Sequence, residues 1–170
     1  MRILFVVHHD FFSEREAELK WLDQYEQALL RLGHVVTRFN AETDKIREHD
    51  IVHIFANKDP ELWVTISGMN PRTVLTPSLR AQVQEKTLQQ KLVKTLVRVV
   101  RSASQRRWPP RDKETWCGQM KAYLVPDQAW ADLATNDWGV ARQRLHVMPI
   151  DHEEAAKIGS AVYEKCYTNA

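Results

Sequence analysis

The chain has 170 residues, 44% of them hydrophobic and 27% charged, which is enough to bury a core, and chains of this length usually form one domain. A net charge of +2 is too mild to imply nucleic acid, so any electrostatic partner must be argued from local clustering. Cys117 and Cys166 form no CxxC pair, Met-Arg-Ile-Leu opens without a signal-peptide pattern, and no apolar run approaches the roughly 20 residues of a membrane span. A reduced cytoplasmic protein is expected, with membrane contact at most peripheral.

RILFVV reads as a buried strand that stops at His8, His9 and Asp10. Next comes EREAELKWLDQYEQALLRL, where Ala17, Leu19, Leu22, Tyr25, Ala28, Leu29 and Leu32 recur at helical spacing. Ser13 with Glu16 three residues later suits its start, and Gly33 suits its end. VVTRF and DIVHIF read as strands, as does RTVLT after Pro71. A long helix is expected over 81–102, then strand AYLV, a short helix from Asp127 to Asn136, strand LHVMP and a last helix from Glu153 to Tyr167. On that last helix Ala155, Ala156, Ile158, Ala161, Val162 and Cys166 form the expected apolar stripe. RSASQRRWPPRDKETW, interrupted by Pro109 and Pro110, reads as an exposed loop.

Strands alternating with helices argue for an α/β fold, and runs such as ILFVV and AYLV, apolar at consecutive positions, argue for helices on both sheet faces. The expectation is a Rossmann-like, doubly wound, mostly parallel sheet of about six strands over residues 1–151, with a helix in 152–170 packing back on it. In open α/β sheets ligands bind outside the carboxyl ends of the strands. Such ends hold His8, His9 and Asp10, then Asn40, then Ala56-Asn57-Lys58, Thr76-Pro77-Ser78, Pro126-Asp127 and Pro149-Ile150-Asp151. His8, His9 and Asp10 are adjacent on an extended chain and point alternately to opposite sides, so they do not converge on a metal ion. Neither Ser78 nor either cysteine sits in a recognisable nucleophile signature.

A second informative stretch runs from Arg80 to Lys113, with ten basic residues against only Glu85 and Asp112. Lys94, Arg98, Arg101, Arg106, Arg107 and Arg111, with Trp108 beside the proline pair, suit an anionic bilayer surface. A solvated face over the leucine stripe Leu88, Leu92 and Leu96 accounts for the same charges. A basic patch with tryptophan is also a nucleic-acid footprint, but no nucleic-acid motif accompanies it, and such a partner is not expected.

MRILFVVHHDFF, ALLRLGHVVTRF, DIVHIFANKDPELW, RTVLTPSLRA and AWADLATNDWGVARQRLHVMPID together resemble the amino-terminal domain of family-four glycosyltransferases of the GT-B fold, over roughly the first 151 residues. The resemblance implies an acceptor-binding domain that takes part in sugar transfer from a nucleotide sugar. The donor would be held by a separate domain, a partner subunit or a second copy of the chain. Its implied cleft carries His9, Asp10, Phe11, His53, Asn57, Lys58, Ser78, Arg80 and Asp127, and the acceptor would be a sugar or a lipid-linked sugar. The chain departs from the family pattern in several places. HHDFFSEREAE has no glycine pair to approach a phosphate, Ser78 replaces a histidine, and Phe55 replaces the second histidine of a Val-His-x-His pattern, leaving His53. The stretch 152–170 is too short for a nucleotide-binding domain and resembles the helix that crosses back from it. These departures imply no cofactor held by the chain alone, and leave a catalytically inactive binding or regulatory module as the other reading.

Overall fold

The computed structural model describes residues 1–8, 11, 15–55, 60–77 and 120–168, and elements are numbered here among those residues. Strands β1 (Arg2–Val7), β2 (Val35–Arg38), β3 (Ile51–Phe55), β4 (Thr73–Thr76), β5 (Ala122–Val125) and β6 (Leu145–Val147) form one sheet in the order β2-β1-β3-β4-β5-β6. Every pairing is parallel. The helices are α1 (Arg15–Arg31), α2 (Pro60–Met69), α3 (Gln128–Trp138) and α4 (His152–Thr168).

Strand alternation sorts the core into two layers. Ile3, Phe5, Ile51, Phe55, Val74, Ala122 and Leu124 face one side, where Leu22, Tyr25 and Leu29 of α1 meet Ala155, Val162 and Tyr163 of α4. Leu4, Val6, Val52, Ile54, Leu75, Tyr123 and Val125 face the other, against Trp63 and Ile66 of α2 and Trp130 and Ala134 of α3. Helices therefore cover both faces, and the fold is a Rossmann-like doubly wound α/β domain. With both sides of the strands buried, the consecutive apolar runs of β1, β3 and β5 follow directly.

Gly33 ends α1 with φ 84. Its amide donates to the Leu30 carbonyl, and the His34 amide to the Leu29 carbonyl, the two-bond pattern of a left-handed glycine cap. Gly139, φ 69, closes α3 at Trp138, two residues beyond the expected Asn136.

Three expectations change. Helix α2 has weak periodicity and was not expected; Trp63 and Ile66, buried against the sheet, hold it there. On α1, Ala17 is exposed and Leu19 half-buried, and Leu32, expected on the same helix, lies just past its end and is exposed. On α4, Ala161 is exposed and Ile158 half-buried, while Gly159 and Tyr163 join Ala155, Ala156, Val162 and Cys166 in the buried stripe. The expected helix over 81–102, the loop with Pro109 and Pro110, and the Ser13 cap lie outside the described residues.

Candidate functional site

The strand order reverses between β1 and β3: the chain leaves β1 toward β2 on one side and returns to β3 on the other. A crevice at the carboxyl ends of these two strands is where a doubly wound sheet can seat a ligand. There the His8 amide donates to the Phe55 carbonyl at 2.8 Å and the Phe11 amide to the His8 carbonyl at 3.1 Å. The Phe11 ring lies edge-on against Phe55, with centroids 5.3 Å apart.

Of the expected cleft residues, His9, Asp10, Asn57, Lys58, Ser78 and Arg80 lie outside the described residues, as do Lys94, Arg98, Arg101, Arg106, Arg107, Trp108 and Arg111. Phe11 and His53, expected on an open wall, belong instead to the core: Phe11 is 1% exposed and His53 fully buried. The two share Phe55 as a neighbour, its centroid 4.0 Å from that of His53. Asp127 sits at the end of β5, half-buried, where its carboxylate accepts the Trp130 amide at 2.8 Å as the cap of α3.

The arrangement around His53 is the structure's main polar feature. His53 projects from β3 into the layer between the sheet and the α1–α4 pair. Its Nδ1 lies 2.6 Å from the Tyr163 hydroxyl on α4, and its Nε2 lies 2.7 Å from Thr76 Oγ1 at the end of β4. Tyr163 in turn lies 2.8 Å from the Tyr25 hydroxyl on α1. Four elements are thus joined by one chain of hydrogen bonds inside an apolar core. Burial pushes His53 down to about 3, so the ring is neutral at physiological pH. Burial likewise raises both phenols, Tyr25 and Tyr163, well above their ordinary value. A neutral imidazole has one donor and one acceptor, so the chain is directional: either Tyr163 donates to Nδ1 and Nε2–H donates to Thr76, or every bond reverses. With no exposure to solvent, His53 is a structural bridge and has no open route to a substrate.

Other histidines lie at the same layer. His34, just after α1, has its Nε2 2.7 Å from Ser160 Oγ on α4; burial lowers its pKa, the amino-terminal ammonium lowers it further, and Glu164 opposes them. His146 on β6 is lowered by burial and by Lys165 on α4. The connector into α4 is pinned by Trp21, whose indole N–H donates to the Ile150 carbonyl at 2.6 Å, and Arg31 of α1 pairs with Glu153.

Among the described residues no group of three or more His, Cys, Asp or Glu side chains is placed to hold a metal ion, and no helix is long and apolar enough to cross a membrane. An open depression bordered by Phe39, Lys45, Ile46 and Met69 lies beside the 3₁₀ turn Ile46–Glu48, between the end of β2 and the start of β3. Sequence reasoning missed Tyr25, Thr76 and Tyr163 as a set. The available signal was a tyrosine on the apolar face of each of two helices, since a buried phenol needs a hydrogen-bond partner. Compared with protein-family models, curated proteins and solved structures, the chain matches none.

Proposed function

We propose that this chain is the acceptor-binding half of a GT-B-type glycosyltransferase, forming one wall of a cleft in which sugar passes from a nucleotide sugar held by a donor-binding domain or partner. The observation that carries this reading is the path of α4. After β6 the chain passes through Met148–Asp151 and lays α4 back across α1 and the sheet, where the returning helix of the resembled enzymes would lie. On an all-parallel sheet with its switch point between β1 and β3, the acceptor would meet Val7, His8 and the carboxyl ends of β3 and β4. On this reading the protein works in the cytoplasm, with its basic segment against the inner face of a membrane.

One observation favours the second reading, a binding or regulatory module that has abandoned catalysis. His53, the histidine retained from the Val-His-x-His pattern, is committed to the core and held neutral there. Titration separates these readings. Sugars and lipid-linked sugars should shift the backbone amide resonances of Val7, His8, Phe55 and Thr76, and shifts confined to other regions would overturn both. Sugar transfer on adding a donor-binding domain supports the enzyme; acceptor binding with no transfer supports the module. Calorimetry with uridine and guanosine diphosphate sugars should show no affinity tighter than about 10 μM, roughly 7 kcal/mol.

A further inference from the structure

Helix α4 adds no strand to the sheet, and one short connector, Met148–Asp151, joins it to β6. What holds it down is a mixed interface. Ala155, Ala156, Val162 and Tyr163 supply the apolar contact, while its buried polar bonds to the body of the domain include two to imidazoles, Ser160 to His34 and Tyr163 to His53, beside Tyr163 to Tyr25 and the exposed pair of Glu153 with Arg31. One ring comes from the connector between α1 and β2 and the other from β3, and both residues are buried, at 8% and 0% exposure.

We propose that α4 is an acid-released latch: it closes on the sheet only while His34 and His53 are uncharged, and proton uptake by these rings lets the helix lift while the six strands stay paired. The physical basis is linkage. With α4 closed, a charge on either ring is desolvated; with α4 lifted, both rings meet water and take a proton at their ordinary value near 6.5. The lifted state therefore binds more protons, and acid favours it.

The surroundings offer little to neutralise a cation on His53. It faces Tyr25 from α1, Tyr163 from α4, Thr76 from β4 and the Phe5 and Phe55 rings, none of them anionic. His34 faces the Met1 ammonium, which disfavours its charging, and Glu164 of α4, which favours it. His146 of β6 faces Lys165, and that repulsion adds in the same direction as burial. At the rim, Arg31 and His152 flank Glu153 in exposed pairs whose contribution is small.

Cys166, on the buried stripe of α4 and 6% exposed, is a ready reporter. In a Cys117→Ser background, its reaction with dithiodipyridine is timed against a free-cysteine peptide at each pH. Between pH 8 and 7 the protection should be constant. Below about pH 6.5 it should fall by roughly tenfold per pH unit for one ring and up to about a hundredfold for both, while at every pH the amides of Leu4, Phe5, Val52 and Ile54 stay more protected from hydrogen exchange than Cys166 is from the reagent. Protection that stays flat down to pH 4.5 would overturn the latch. Strand-amide protection no greater than that of Cys166 would overturn it too, by showing that Cys166 opens only through general unfolding. His34→Gln keeps a hydrogen-bonding group beside Ser160 but cannot charge, so the slope should drop by up to about tenfold per unit; an unchanged slope removes His34 from the device.

Discussion

Replacing Tyr163 with phenylalanine removes one oxygen from the core, but that oxygen holds two bonds, to Tyr25 at 2.8 Å and to His53 at 2.6 Å. Both partners are fully buried, so neither gains water in exchange. Leaving a buried polar atom unsatisfied costs about 1–3 kcal/mol, and two such atoms give about 2–6 kcal/mol. Tyr25→Phe is the matched control. It deletes the terminal hydroxyl of the chain and leaves Tyr163 still bonded to His53, a loss nearer 0.5–1.5 kcal/mol. The assay is urea unfolding at pH 7.5, followed by both circular dichroism and tryptophan fluorescence. Tyr163→Phe should lower stability by at least about 1 kcal/mol more than Tyr25→Phe. The double variant should cost little beyond Tyr163→Phe alone, because it also removes the hydroxyl that would otherwise be orphaned. Equal costs for the two single variants, or strict additivity in the double, would refute the connected chain. Against a total margin of about 5–15 kcal/mol, the predicted difference is well within reach of the measurement.

Gly159→Ala should destabilise despite the roughly 1 kcal/mol that alanine normally gains over glycine in a helix. The new methyl would overlap the Tyr25 hydroxyl and break its bond to Tyr163, and a melting temperature at or above that of the parent would contradict this close packing. Gly33→Ala should cost about 1 kcal/mol in urea unfolding, because the cap at φ 84 is strained for any side chain although nothing crowds the position. Stability should decline as pH falls from about 6.5 toward 3. The unfolded His53 takes a proton near 6.5 and the folded one only near 3, so the unfolded state binds more protons across that window, at about 1.4 kcal/mol per pH unit. A flat acid limb in calorimetric scans would contradict it. The basic segment should draw the protein to anionic rather than neutral vesicles, more weakly as salt rises, and sedimentation unchanged in Arg106→Glu plus Arg107→Glu would remove that segment from a membrane role.

The fold was legible because its strands carry their burial in their composition. ILFVV and AYLV, and IVHIF apart from His53, are apolar at successive positions because helices cover both faces, and Gly33 marks the end of α1 with the one residue type suited to its backbone. Helix α2 was not legible. Val64, Thr65 and Ile66 are β-branched and Gly68 interrupts the run, so local preference argues against a helix that Trp63 and Ile66 nonetheless bury against the sheet. The His53 chain escaped for a different reason: its partners lie 110 residues away in Tyr163 and 23 away in Thr76, and no local pattern joins them. A histidine at the middle of an apolar strand carries two opposite meanings in a sequence, a wall of a cleft or a satisfied core group. Which holds depends on whether another element caps it. Here α4 does, and burial keeps the ring neutral while Tyr163 and Thr76 satisfy its two nitrogens. The same contact makes the helix answerable to protons, since a ring kept neutral only by being covered must resist its cover whenever protons become abundant. The residue that sequence placed on a cleft wall is therefore a core group, joining the end of β4 to α1 and α4.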